Sequence, residues 1–355
     1  MLEILKLDNL EGCEKYKSLI SSLYNIEPYC LPDYIDIFSG GSENLLCFSF
    51  RSDANNSIIM PGYLRPIEIG GEKTGYFDFI SPYGYTGPFF STDVTDSEIS
   101  AFWKKVDKWY LDNNVVSEFI RFNLSDNHLN YSGEIFPTML NVKSKIIDEE
   151  AQRTSFDHKV RKNVNKAKRE KLSSEVYYIK IEDDKILEFF NIYSLTMVRT
   201  NANESFSYTF DEFKRFINDN MEYVAICTIY FEEMPISTEL LLVSGDTIYS
   251  FLGGTVENYF DKRPNDLLKV EALNWARIQG KKYYVLGGGY GFEDGIFKYK
   301  KSFFPNDVVN YYTGRKIINK EVYSQLVLEV NELRKSADLE LLDVSDTSFF
   351  PLYNK

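Results

Sequence analysis

The alternation of apolar and polar positions first becomes regular near residue 44. NLLCFSF (Asn44–Phe50) reads as a strand, and NSIIMPGYLRPIEI and GYFDFI follow it across the turn-forming stretches SDANN and GGEK. The period then changes. In DSEISAFWKKVDKWYLDNN, Ile99, Phe102, Trp103, Val106, Trp109 and Tyr110 recur at helical spacing, with Asp96 or Ser97 placed to cap the start. VVSEFIRF returns to a strand pattern. The same order comes back in the second half: EYVAICTIYF, ISTELLLVS and TIYSFLGG predict three strands joined by the turns EEMP and SGD. NDLLKVEALNWARIQG then predicts a helix from an Asn265 cap to a Gly280 stop, and KKYYVLGG a last strand. One plan used twice suggests a tandem duplication, although no residue-level repeat is visible. Antiparallel strands, a helix and one more strand leave room for a gap between the last two strands, which a ligand can enter.

Between the halves lies FDHKVRKNVNKAKREKL, the one dense basic segment, with Lys159, Arg161, Lys162, Lys166, Lys168, Arg169 and Lys171. It predicts a helix whose buried stripe is Val160, Val164 and Ala167. A charge run is ordinarily a solvated face, yet a concentrated positive face on an acidic protein also suits a phosphate-bearing ligand.

Composition narrows the function classes. The chain has 355 residues, enough for two domains, and its 44% hydrophobic and 16% aromatic content fills sizeable cores. A net charge of -13 repels nucleic acid on average, so DNA is not an expected partner. No apolar run is long enough for an integral membrane span, and MLEILKLDNLEG lacks the basic start of a signal peptide, so a cytoplasmic location is expected. Cys13, Cys30, Cys47 and Cys227 are scattered without a C-x-x-C and are expected to be reduced. His128 and His158 are the only histidines, which argues against a histidine-based metal site or catalytic triad.

Several stretches resemble the Fem family of peptidoglycan-bridge aminoacyltransferases, a branch of the GNAT superfamily. VRKNVNKAKRE resembles the helix that opens that family's second domain, and YSLTMVRTNA the next helix, which ends in Arg199. NDLLKVEALNWARIQGKKYYVLGGG resembles the core helix and strand, and GIFKYKKSFF with YYTGRKI the closing F-K-x-x-F segment, with Tyr299 in the place of the first Phe. SPYGYTGPFF and VVSEFIRFN resemble first-domain segments. The resemblance implies an α+β fold of two tandem GNAT-like (acyl-CoA N-acyltransferase-like) domains, residues 1–152 and 153–355, each a mixed, mostly antiparallel sheet flanked by helices. No coiled-coil arm fits between Phe210 and Lys300, as in the short members, and Thr86-Gly87-Pro88 stands where the family often has Arg-Gly-Pro.

The resemblance also marks site residues. Lys300 stands at the family's lysine, suited to stabilise the oxyanion of acyl transfer, with the Tyr299 backbone N–H as a second donor. A strand reading of this segment puts Lys298 and Lys300 on one face, and three lysines on a solvated edge strand are the plain alternative. Tyr83, Tyr85, Gly87, Arg121 and Asn123 are expected at the substrate cleft, and Arg199 is suited to a phosphate. Gly288, in the run Gly287–Gly289, is expected at a strand end where backbone approaches substrate closely, or in an ordinary turn. No helix of useful length is expected to follow it, which disfavours a phosphate loop. Glu293 and Asp294 are candidate proton acceptors.

The expected activity is aminoacyl or acyl transfer to an amine of a cell-envelope or peptidoglycan precursor. An acetyl-CoA-dependent N-acetyltransferase acting on an amino sugar of surface polysaccharide is the alternative, and a non-catalytic tandem GNAT protein that binds a glycan precursor is a third reading. No cofactor is certain; aminoacyl-tRNA or acyl-CoA is the expected co-substrate, and no metal is expected. The expected partners are a nucleotide- or lipid-linked glycan precursor and charged tRNA. DKRPNDLL lacks the glycine loop that cradles the diphosphate of coenzyme A, and Pro264 removes a donor, so weak coenzyme A binding is expected.

Overall fold

The computed structural model describes residues 1–23 and 26–355. In chain order, β1 (Leu2–Lys6), α1 (Leu10–Ser21) and α2 (Pro32–Phe38) precede β2 (Leu45–Arg51), β3 (Ser57–Ile69), β4 (Glu72–Ile80) and β5 (Phe89–Phe90). Next come α3 (Asp96–Asp112), β6 (Val115–Arg121), β7 (Glu134–Lys145), α4 (Glu149–Ser155), α5 (His158–Arg169), β8 (Ser173–Tyr178), α6 (Asp183–Thr200) and α7 (Phe210–Asp219). The chain continues through β9 (Val224–Phe231), β10 (Met234–Val243), β11 (Thr247–Thr255), α8 (Pro264–Ile278), β12 (Tyr283–Gly287), α9 (Gly295–Phe303), β13 (Val308–Ile317) and α10 (Lys320–Ser336).

Contacts divide the chain into two compact units. The first is Met1–Tyr24, Tyr29–Thr138 and Tyr311–Lys355, and the second is Asn25–Pro28 and Met139–Asn310. A division of the sequence at residue 152 therefore does not describe the packing. The C-terminal residues group with the first unit because Thr313–Ile317 of β13 pairs with β6, and Val322, Tyr323, Leu326 and Val327 of α10 bury against Ile67 and Val116.

In the first unit the strand order is β1-β2-β3-β4-β6-β13, antiparallel except for the parallel pair β4 and β6. α3 buries Ile99, Phe102, Trp103, Val106 and Tyr110 against Phe48, Phe79 and Phe122, as its apolar spacing predicts. Its cap is Thr95 rather than Asp96 or Ser97: the Thr95 hydroxyl accepts from the Glu98 N–H, and the Glu98 carboxylate accepts from the Thr95 N–H.

The second unit repeats the plan. β8, β9, β10 and β11 are antiparallel neighbours, and β12 pairs parallel to β11 after α8. Val160, Val164 and Ala167 of α5 are buried against Leu268, Ala272 and the sheet, the stripe predicted for the basic helix. α8 begins two residues earlier than its Asn265 cap predicted: Arg263 occupies the cap in a left-handed conformation and Pro264 is the first helical residue. Gly280 ends the helix at φ +70°, as read from the sequence.

Candidate functional site

In each unit the two parallel strands pair over a short stretch, and the two units treat its end differently. In the first unit the pairing runs from Phe77↔Val115 to Ile80↔Phe119. Ser81 then bridges the strands: its N–H donates to the Phe119 carbonyl at 3.0 Å, and its hydroxyl and carbonyl accept from the Arg121 N–H and guanidinium, each at 2.8 Å. In the second unit pairing covers only Thr247↔Tyr283, Ile248↔Tyr284 and Tyr249↔Val285. Beyond Tyr249, β11 continues to Thr255 without β12 as its partner. A register shift between Leu240 and Leu241 of β10 bends β11 at that same level, leaving Phe251 as the extra residue.

A group of ionisable side chains occupies this point. Ser250, the first residue past the paired stretch, accepts from Lys269 Nζ of α8 at 2.8 Å. Lys269 Nζ and the Ser250 hydroxyl both donate to Glu239 Oε1, and the Tyr284 hydroxyl donates to Glu239 Oε2 at 3.4 Å. The Lys269 and Glu239 side chains are 9% and 5% exposed, so their charges are matched almost out of water. Lys300 completes the group. Its ammonium donates to the Gly288 carbonyl at 2.7 Å, just past the end of β12. Desolvation, reinforced by Lys269, pulls its pKa down to about 8, against the opposing attraction of Glu239 and Asp294.

Lys300 thus lies with Gly288, and not on a strand. Residues 295–303 form α9, because the Asp294 carboxylate caps it by accepting from the Phe297 N–H at 2.8 Å. On a helix Lys298 and Lys300 do not share a face, which overturns the strand-alternation argument. The backbone donor assigned to Tyr299 is overturned too: an N–H inside a helix is committed to the carbonyl four residues earlier. Tyr299 serves instead through its hydroxyl, which accepts from Asn265 Nδ2 at 2.9 Å and joins α9 to α8. Asp294 is also removed as a proton acceptor, because hydrogen bonds from the N–H groups of Phe297, Gly291 and Tyr290 hold its carboxyl below the usual range. A Cβ on Gly289 would stand 2.0 Å from Asp294 Oδ1, so this glycine makes room for a carboxylate of its own chain. α9 is also the helix that the sequence reading did not expect after the glycine run.

A second carboxyl reaches the same level of β11. Glu27, which groups with the second unit, accepts from the Tyr249 hydroxyl at 2.6 Å. Burial pushes its pKa up to about 7, and Asp246 adds to the rise while the Tyr249 hydrogen bond and Lys143 oppose it. Tyr249 and Ser250 are successive strand residues, so Glu27 and Glu239 approach β11 from opposite faces.

The remaining sequence candidates separate by unit. Tyr83, Tyr85, Gly87, Arg121 and Asn123 lie around the Ser81–Pro88 loop of the first unit, mostly as parts of its hydrogen-bonded framework. Tyr83 is 55% exposed and holds the loop through its N–H to Ser39 Oγ at 2.7 Å. Tyr85 packs edge-on to Tyr29 and Tyr311, and burial raises its pKa. Gly87 has φ +90°, and a Cβ there would lie 2.9 Å from Asn127 Nδ2. Asn123 accepts from the Ser125 N–H at 2.8 Å. Arg121, besides bridging to Ser81, stacks on Phe119 at 5.1 Å. In the second unit Arg199 is exposed and covers the Phe260 ring at 4.9 Å, outside the Lys300 group.

Sequence reasoning missed Glu239, Ser250, Lys269 and Glu27. Glu239 and Lys269 are charged residues inside an apolar strand and on the apolar face of a helix, the pattern that marks buried ion pairs. Glu27 sits in no motif. No group of three metal-ligating side chains occurs among the described residues. At the start of α8, Asp266 is 7% exposed and accepts from Asn163 Nδ2 at 3.0 Å, with burial raising its pKa. Lys262 pairs with Glu170 at 2.8 Å. No helix among the described residues is long and apolar enough to cross a membrane.

Residues 155–301 match the model of the acetyltransferase (GNAT) domain. A search of curated protein sequences gave no significant match. Among solved structures, FemX superposes with TM-score 0.62 at 11% identity, over 91% of this chain and 99% of FemX. L-PGS from Bacillus licheniformis gives 0.58 at 13% identity, over 92% and 98%. The C-terminal domain of a protein assigned as a lysylphosphatidylglycerol synthetase from Agrobacterium fabrum gives 0.59 at 11% identity, over 91% and 96%. At such identities the likeness is one of fold. The α+β architecture, the repeated plan and the domain match agree: residues 155–301 carry an acetyltransferase (GNAT) domain, in a chain that has the fold of FemX.

Proposed function

We propose that the second unit is an N-acyltransferase that moves an acyl group from a coenzyme A thioester to a primary amine where β11 and β12 part. The observation that carries this reading is the coincidence of that parting with the Lys300, Lys269, Glu239 and Ser250 group. The amine nitrogen attacks the thioester carbonyl carbon, forming the C–N bond and moving the C=O electron pair onto oxygen. Lys300 supplies the positive charge that this oxygen needs, and below a pKa of about 8 it is an ammonium. Collapse of the intermediate breaks the C–S bond and expels the thiolate, which leaves as the thiol on taking up the proton lost by the amine. Glu27, with a pKa of about 7, takes the amine proton at neutral pH better than Glu239, whose charge Lys269 already matches.

The acetyltransferase domain match supports coenzyme A over charged tRNA as the acyl carrier. For the acceptor, the resemblance to the Fem family supports an amine on a nucleotide- or lipid-linked glycan precursor. The experiment is thiol release from acetyl-CoA in the presence of nucleotide-linked amino sugars or muropeptides, with the amide product identified by mass. Amine-dependent release is expected. Product from an aminoacyl-tRNA, with no release from any acyl-CoA, replaces the donor assignment.

A further inference from the structure

The basic face of α5 is not used by the acyl-transfer site. Arg153 of α4 and His158, Arg161, Lys162, Asn165 and Arg169 of α5 line one pocket of about 260 Å³ in the second unit. The α5 residues fall at successive helical positions on one face, a row about 16 Å long at 1.5 Å per residue. The buried stripe Val160, Val164 and Ala167 lies on another face, so the row is directed away from the core.

The lining contains four formal cations, Arg153, Arg161, Lys162 and Arg169, and no carboxylate. No ion pair joins any of them to an acid among the described residues; the adjacent Glu170 is engaged by Lys262 at 2.8 Å. Arg161 shapes the pocket: its guanidinium donates to the Thr154 carbonyl at 3.0 Å and to the Phe156 carbonyl, tying the end of α4 to α5. A chain of net charge -13 that gathers four unneutralised cations around one hollow keeps an anion site there against its own average field.

We infer that this pocket binds the phosphate groups of a compact phosphate ester. Arginine forks match phosphate oxygens bidentately, and Asn165 supplies a neutral donor beside them. The volume is at the small end for ligand pockets, which suits two linked phosphates rather than a whole nucleotide. A polymer is disfavoured because the rest of the acidic chain repels it. The start of α8, where a diphosphate would otherwise meet a helix N-terminus, holds the buried carboxyl of Asp266, so phosphate groups need another cationic surface. Two sources share this chemistry: the phosphates of coenzyme A and those of a nucleotide-linked acceptor.

The test is isothermal titration of the full chain with sodium pyrophosphate at low salt, in parallel with UDP, coenzyme A and a 20-nucleotide RNA. The variant is Lys162→Gln/Arg169→Gln, at two exposed positions without ion-pair partners; it leaves Arg161 and the helix core intact, and its melting temperature checks folding. One saturable pyrophosphate site is expected, weakened ten-fold or more in the variant and weakened by added salt. Tighter binding of coenzyme A than UDP, or the reverse, with the same loss in the variant, supports the site and identifies the source. Absent pyrophosphate binding, binding unchanged in the variant, or RNA binding that exceeds all three small ligands overturns the inference. Because no acyl transfer is measured, failure of the transferase reading leaves this result standing, and failure here leaves that reading untouched.

Discussion

Lys300 Nζ donates to the Gly288 carbonyl oxygen across 2.7 Å, so α9 is tied back to the end of the strand from which the glycine run departs. The ammonium is held beside a second cation, Lys269, in a poorly hydrated position that depresses its pKa.

Lys300→Met should lower amine-dependent turnover by about a hundred-fold or more, the usual effect of removing one oxyanion donor. Lys301→Met should change it little. The stability of the Met variant relative to wild type adds an independent sign. Lys300 has a folded pKa of about 8, below its unfolded value near 10.5, so between these values the unfolded chain binds more protons. Wild-type stability should therefore rise relative to the variant as pH increases from about 8 to 10.5. Denaturant titrations across that range check it, and a constant difference would mean that Lys300 is fully hydrated.

The Lys269–Glu239 pair is expected to respond as a buried ion pair. Lys269→Met strands a carboxylate and should cost about 3–5 kcal/mol, whereas Glu239→Gln/Lys269→Met should recover much of that loss. Urea unfolding of the wild type, both single variants and the double variant reads the coupling. Additive losses would contradict the contact.

Glu27→Gln keeps a partner for the Tyr249 hydroxyl while removing the proton acceptor. It should lower kcat/KM at neutral pH by about a hundred-fold and abolish an acid limb centred near pH 7 in the wild-type profile. The stability sign is opposite to that of Lys300. A carboxyl raised to about 7 binds its proton in the folded state over a window where the unfolded chain has lost it. Wild type should lose stability relative to the variant as pH rises through that window. An unchanged acid limb in the variant would exclude Glu27 as the base.

Gly289→Ala should destabilise α9, because its Cβ would meet the Asp294 carboxylate and neighbouring backbone turns around the same group. Asp294→Ala should lower the melting temperature at neutral pH and lose that effect in acid. The carboxyl is depressed when folded, so its contribution vanishes as pH falls below the unfolded value.

The elements with strong periodicity were legible in the sequence. α3, the α5 stripe, β9 to β11 and the Gly280 stop all follow from local pattern. The tail was not, since α10 is amphipathic only against Ile67 and Val116, residues far away in the chain. α9 was misread because its lysines and aromatics fit a strand as well as a helix, and the decision rests on the Asp294 cap. Lys300 itself was singled out through family resemblance. Its partners were not, because Glu239, Ser250 and Lys269 converge only through sheet register, and Glu27 reaches β11 only through its contact with Tyr249.

The most direct measurement is hydrogen exchange of the full chain with and without saturating acetyl-CoA. Ligand seated where β11 and β12 part should slow exchange in peptides covering Ser250–Thr255 and Leu286–Gly289, while Ser81–Phe122 of the first unit stays unchanged. Protection of the Ser81 region alone, or of neither segment, would contradict the assignment of acyl transfer to the second unit.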